Sequence, residues 1–105
     1  MKKEKLQKLI LLKLSRNTSE IINDETLKDD DFRGFSRNEL IEACDYLYSK
    51  KFISNFKPEY SEGEIYFFIA QGITNEGLIY LKESTWYYRL LKKFKFLLSF
   101  IQRFR

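Results

Sequence analysis

Residues 73–86 read ITNEGLIYLKESTW, and they follow a segment dense in Phe and Tyr. Ile73 closes an apolar run with the character of a strand. Thr74 then has the chemistry of an N-cap, a side-chain oxygen able to accept a first-turn N–H. Leu78 and Leu81 give the following Gly-containing helix an apolar side. Ser84 and Thr85 are capping residues again, and they open a further helix expected to run to about Phe104. The stretch is therefore the exit from a sheet into helices, and it orders what comes before and after it.

Upstream, Phe52–Lys57 and Glu64–Ala70 read as an antiparallel hairpin joined through Pro58 and a turn at Ser61, Glu62 and Gly63. The second strand contains Ile65, Tyr66, Phe67, Phe68 and Ile69, which do not alternate. A hairpin with one wet face should alternate, so this pattern predicts a cover on its second side. Before the hairpin, Ser36 and Glu39 form an S-x-x-E capping box, which predicts a helix from Arg37 to about Lys51. Leu40, Ile41, Cys44, Leu47 and Tyr48 make its core stripe at 100° per residue. The opposite side presents Asn38, Glu39, Glu42, Tyr46, Ser49 and Lys50, with Asp45 on the flank. Lys3–Ser15 reads as a first helix with Leu6, Leu9, Ile10, Lys13 and Leu14 on one stripe. Asn17–Asp24 is polar and turn-prone, and Thr26–Phe32 reads as a short second helix with Leu27 and Phe32 inward. Asp29, Asp30 and Asp31 have no companion ligands and read as a solvated acidic face rather than a metal site.

In the C-terminal stretch, Tyr87, Leu90, Phe94, Leu97, Ile101 and Phe104 keep a 3–4 spacing, with Lys92, Lys95, Ser99 and Arg103 across from them. That stripe is the natural cover for the hairpin. Phe96 and Phe100 lie off the stripe, toward the basic side. They predict an association surface for a second copy, for another protein or, ranking third, for a membrane surface.

The 105 residues are enough for one core, and their net charge of +4 is unevenly spread. Residues 1–16 carry +5, residues 17–88 carry −7 and residues 89–105 carry +6. There is no His, so a Ser–His or Cys–His nucleophile system is excluded. Glycine-rich phosphate loops, dinucleotide fingerprints and Cys/His metal clusters are missing as well. The expectation is a non-enzymatic protein with no catalytic residues, no metal and no cofactor. Cys44, the one cysteine, sits mid-stripe and reads as a small buried hydrophobe. The N-terminal Lys-then-Leu pattern is interrupted by Lys13 and lacks a cleavage site, so the cytoplasm is expected rather than export.

Four segments together carry a family resemblance: KEKLQKLILLKL at residues 3–14, LKDDDFRGFS at residues 27–36, the aromatic hairpin, and ITNEGLIYLKESTW. The chain resembles the YjcQ-like family of small winged-helix proteins of Gram-positive bacteria and their phages. Its C-terminal stretch is richer in Phe and Leu than that pattern. The resemblance implies an α+β winged helix-turn-helix with a two-stranded wing over residues 1–84. It also implies a nucleic-acid-binding or regulatory role and a phage or mobile-element origin, with no catalytic residues to carry over. Residues 85–105 are expected to add a long amphipathic helix packed on that domain.

Two functions follow. A DNA-binding regulator would place Arg37, Asn38, Glu42, Tyr46, Ser49 and Lys50 toward double-stranded DNA, with Lys57 and Tyr60 on the wing. Arg89, Lys92, Lys93, Lys95 and Arg103 would grip phosphates. A protein-interaction module would use the same acidic helix, or the Phe-rich tail, for a protein partner or a homodimer. Base rates for the fold favour DNA, whereas Glu42, Glu59, Glu62 and Glu64 oppose it, so the sequence places the DNA-binding regulator narrowly first and the interaction module second.

Overall fold

Four consecutive apolar residues, Leu9 to Leu12, decide how the molecule packs. At 100° per residue they sweep about 300° of a helix surface, so no single docking contact can hide them. The computed structural model, which describes residues 2–83, shows the consequence. Helix α1 (Lys2–Leu14) buries Leu6, Leu14 and all four of these residues. The helix lies at the centre of the molecule rather than along one side, unlike the single stripe expected from its sequence. Even Lys8 is only 6% exposed, its stem covered and its ammonium 5.2 Å from the Tyr80 ring centroid. Lys13 reaches out to Glu20 and Asp29 at 3.1 and 3.2 Å.

The fold is α+β. Three α-helices and a three-stranded antiparallel sheet occupy the described residues: α1, β1 (Ile21–Ile22), α2 (Arg37–Ser49), β2 (Ile53–Ser61), β3 (Glu64–Ile73) and α3 (Asn75–Lys82). The sheet order is β1-β3-β2, with β3 central. The expected hairpin is present, and Pro58 lies inside β2 rather than in the connection. An edge strand is where a residue without an N–H is tolerated. Glu62 and Gly63 both take positive φ between the strands, as a tight two-residue turn of mirror-image type requires.

Two expectations need correction. The segment from Asn17 to Asp24 is not only a turn, since Ile21 and Ile22 pair with Gln71 and Ala70 and make a third strand. Ile22 is fully buried. Two apolar residues are too few to show a strand period. The expected second helix is instead two 3-10 turns, Asp24–Lys28 and Asp30–Phe32, separated by extended backbone at Asp29. Asn23 and Thr26 cap the first reciprocally, and Phe32 is buried while Leu27 is half-buried. The expected C-terminal helix, with its basic and association residues, lies outside the described residues.

The capping box on α2 forms as expected. The Ser36 hydroxyl accepts the Glu39 N–H at 3.1 Å, and the Glu39 carboxylate accepts the Ser36 N–H at 2.8 Å. That second bond, with help from Lys2, holds the Glu39 carboxyl below its ordinary range. At the far end the Phe52 N–H bonds the Leu47 carbonyl and the Lys51 N–H bonds the Tyr48 carbonyl. This Schellman closure places Lys51 at φ 64°, a left-handed position where glycine is favoured. Thr74 fastens the base of the hairpin to the same corner. Its hydroxyl accepts the Gly77 N–H at 3.0 Å and donates to the Lys51 carbonyl at 2.7 Å. Its own N–H donates to the Phe52 carbonyl at 3.0 Å. Gly77 lets α3 approach so closely that a Cβ there would collide with the Phe52 carbonyl oxygen. The rings of Phe52 and Tyr80 stack at 4.6 Å alongside.

Two substitutions test this corner in opposite directions. Gly77→Ala should lower stability by about 1–3 kcal/mol, although Ala is ordinarily the better helix former, because backbone must move to admit the methyl group. Lys51→Gly should raise stability by up to about 1 kcal/mol by relieving the left-handed residue. Denaturant unfolding of both variants measures the two effects.

Candidate functional site

The chemistry of the exposed surface begins with a slip in strand register. Glu59 pairs with Phe67 and Tyr60 pairs with Ile65, so Tyr66 is an extra residue on β3. A bulge of this kind reverses the side on which the following residues point. Phe68 and Ala70 face the core, and Phe67 and Ile69 face away from it. Without the bulge, Ile65 would join Phe67 and Ile69. With it, Ile65 turns to the side of Phe56 and faces α2. The apolar pattern from Ile65 to Ile69 is therefore partly a bulge and partly a genuine outer patch, on which Phe67 remains 41% exposed.

Arg37 holds the bulge to the start of α2. Its Nε donates to the Asp24 carboxylate at 2.6 Å, and its Nη1 donates to the Ile65 carbonyl at 2.9 Å. The guanidinium carbon lies 5.6 Å from the Phe68 ring centroid. These partners are 13 residues before and 28 residues after it in the chain. Arg37, expected to face DNA or a partner, is thus engaged within the molecule. The sequence signal that could have shown this is weak, because an Arg at the first position of a helix is equally at home in solvent.

Between α2 and the hairpin lies a groove of about 390 Å³. Its floor is apolar: Ile41, Tyr48, Phe56, Pro58, Tyr60 and Ile65. Its charged lining is acidic only, from Glu42 and Asp45. Glu64 lines the continuation beside Asn38 and Arg37. Tyr48 and Phe56 sit at one end with ring centroids 6.4 Å apart. Tyr48 was expected on the core stripe, yet α2 buries Leu40, Ala43, Cys44 and Leu47 instead and leaves Tyr48 46% exposed. The helix is rotated from the expected setting by its contact with α1, which takes the Ala43 side. Tyr48 thereby becomes groove wall.

The remaining expected site residues divide. Asn38, Glu42 and Ser49 are exposed on α2, and the Ser49 hydroxyl donates to the Tyr46 carbonyl. Lys50 lies 5.7 Å from the Tyr46 ring, on the α1 side and away from the groove. Lys57 is exposed on the outer side of β2, and Tyr60, 64% exposed, belongs to the groove. Arg89, Lys92, Lys93, Lys95, Phe96, Phe100 and Arg103 lie outside the described residues. Pro58, Ile65 and Asp45 are groove residues that the sequence did not single out as a set. Pairing across the bulge is what unites them.

Cys44 is fully buried, and burial together with Asp45 pushes its thiol up to about 12. Such a thiol is not a nucleophile near neutral pH. Among the described residues no group of three or more acidic or sulfur ligands could hold a metal ion. No helix among the described residues is long and apolar enough to cross a membrane. Comparison with protein-family models, with curated proteins and with solved structures finds no match for this chain.

The Arg37 clamp makes a direct prediction. Arg37→Ala should lower stability by about 1–2 kcal/mol, between the worth of an exposed ion pair and that of a hydrogen bond to a charged group. Asn38→Ala and Ser49→Ala should leave it within about 0.5 kcal/mol. Chemical denaturation of the three variants separates a clamp from a surface residue.

Proposed function

We propose that this chain is a non-enzymatic winged-helix module that binds a protein partner, and that the partner lays a basic, amphipathic segment into the groove between α2 and the hairpin. One observation carries this reading: the groove combines an apolar floor with charged side chains of a single sign, Glu42 and Asp45. A helix or extended strand with apolar residues on one side and Lys or Arg on the other matches both features. Ile41 and Tyr48 would take the apolar side, and the two carboxylates would flank it.

The winged-helix assignment is supported by the element order, with a strand after the first helix, a hairpin after α2, and the β1-β3-β2 sheet. The resemblance to the YjcQ-like family points the same way. In that scheme α2 is the element that a DNA-binding relative would present to the major groove. Its exposed side carries Glu42 and Asp45, and the turn of the hairpin carries Glu62 and Glu64. Arg37 is engaged elsewhere, and Lys50 leans on Tyr46. Phosphates would meet carboxylates there, which opposes the electrostatic term that supplies most non-specific DNA affinity.

DNA binding is the second reading, favoured by the basic charge at both ends of the sequence. It would rely on Lys92, Lys93 and Lys95 for grip and on Asn38 and Ser49 for sequence preference. A phage or mobile-element setting suits either reading, since such proteins act on host proteins as well as on DNA.

Fluorescence anisotropy with two probes, an amphipathic Lys/Leu peptide and a short DNA duplex, tests the proposal. The peptide should bind saturably, and Glu42→Lys with Asp45→Lys should weaken it at least roughly tenfold. The duplex should be indifferent to the same change or gain affinity. A duplex bound tightly at physiological salt, with base preference altered by Asn38→Ala, would contradict the proposal.

A further inference from the structure

We infer that the groove between α2 and the hairpin is occupied by the chain's own C-terminal segment, residues 86–105, so that a partner must displace it. The inference rests on the groove reading above and names the resident ligand. All fifteen acidic residues of the protein fall within the first 83 positions, and the segment that follows has none. Residues 86–105 hold six basic side chains, among them Lys92, Lys93 and Lys95. Their apolar residues Leu90, Phe94, Leu97 and Ile101 recur at the spacing of one helix side. This is the same chemistry, basic on one side and apolar on the other, that the groove fits.

The other surface depressions fit this segment less well. The depression between α1 and α2 sets Lys2 and Lys3 against Glu39 and Glu42 in its lining, so it offers a basic chain no net charge. The outer side of the hairpin offers Phe67 and Ile69, but Lys57 stands there beside Glu59 and cancels its charge. The α2–hairpin groove has carboxylates without a neighbouring Lys in its lining. The chain leaves the sheet at Thr74, which is bonded to the Lys51 carbonyl at the end of α2, and then runs through α3 to Glu83. Twenty-two residues follow Glu83, a length of about 33 Å if helical and about the diameter of a small domain. Tethering supplies an effective concentration in the millimolar range, which allows even a weak contact to persist.

Zero-length carbodiimide cross-linking of the full chain, followed by digestion and mass spectrometry, tests the inference. Links from Lys92, Lys93 or Lys95 to Glu42 or Asp45 within one chain are expected, with mixed isotope-labelled and unlabelled chains separating them from links between copies, and links found only between copies overturn the assignment. Reversing the tail with Lys92→Glu, Lys93→Glu and Lys95→Glu should strengthen binding of an added peptide of sequence 86–105 by roughly tenfold, because the tethered competitor is gone. Thermal unfolding of the reversed variant confirms that it is folded. Equal peptide affinity in both proteins, with the tail Lys linked elsewhere, overturns the inference while leaving the groove reading intact. Failure of the folded, tail-reversed protein to bind any basic amphipathic peptide overturns both.

Discussion

The contact of Arg37 with the Ile65 carbonyl and the Asp24 carboxylate is the constraint on which the outer half of the molecule depends. It ties together the 3-10 segment, the start of α2 and the bulge in β3. Each of these is poorly held by itself: a five-residue turn, a helix end and an irregular piece of ladder. An ion pair with both partners partly exposed contributes little alone. The hydrogen bond to a bulge carbonyl contributes more, because a bulge locally disrupts the ladder. Where the bulge goes, Ile65 goes, and with Ile65 the groove acquires its far wall.

Beneath this lies a core organised around α1. Because that helix is buried on nearly all sides, the sheet, α2 and α3 all use it as their common floor. Each large side chain so buried contributes on the order of 1.5–3 kcal/mol, which far exceeds any single surface contact. Thr74 and the Schellman closure then join the end of α2 to the exit of the hairpin. The capping box adds a pH dependence of known sign. Glu39 is held below its ordinary range by the Ser36 N–H, so its contribution is present above the unfolded carboxyl range and is lost as acid protonates it.

The parts legible in the sequence were those written in local chemistry. Ser36 with Glu39, Thr74 before a helix, and Glu62-Gly63 between apolar runs each state their structure within four residues. The parts that were not legible depend on partners far along the chain. Ile21 and Ile22 become a strand only because β3 offers an edge at Ala70 and Gln71. Arg37 turns inward only because Asp24 and Ile65 are placed for it. Tyr48 reads as core by period, and the contact of α2 with α1 rotates it into the groove instead. The alternation failure at Ile65–Ile69 was visible, but a missing cover and a bulge look alike in sequence. For the candidate surface, the acids on α2 were legible, and the apolar floor they flank was not.

The same electrostatics separates the two functions. A DNA-reading helix needs its exposed side to approach phosphates, while α2 exposes carboxylates beside an apolar groove. Amide chemical-shift mapping shows whether the proposed groove is the binding surface. Addition of an amphipathic basic peptide should give shifts concentrated at Ile41, Asp45, Tyr48, Phe56 and Ile65, with Lys57 and Ile69 on the outer side unmoved. Shifts centred on Asn38 and Ser49 with duplex DNA, and none in the groove with peptide, would contradict it.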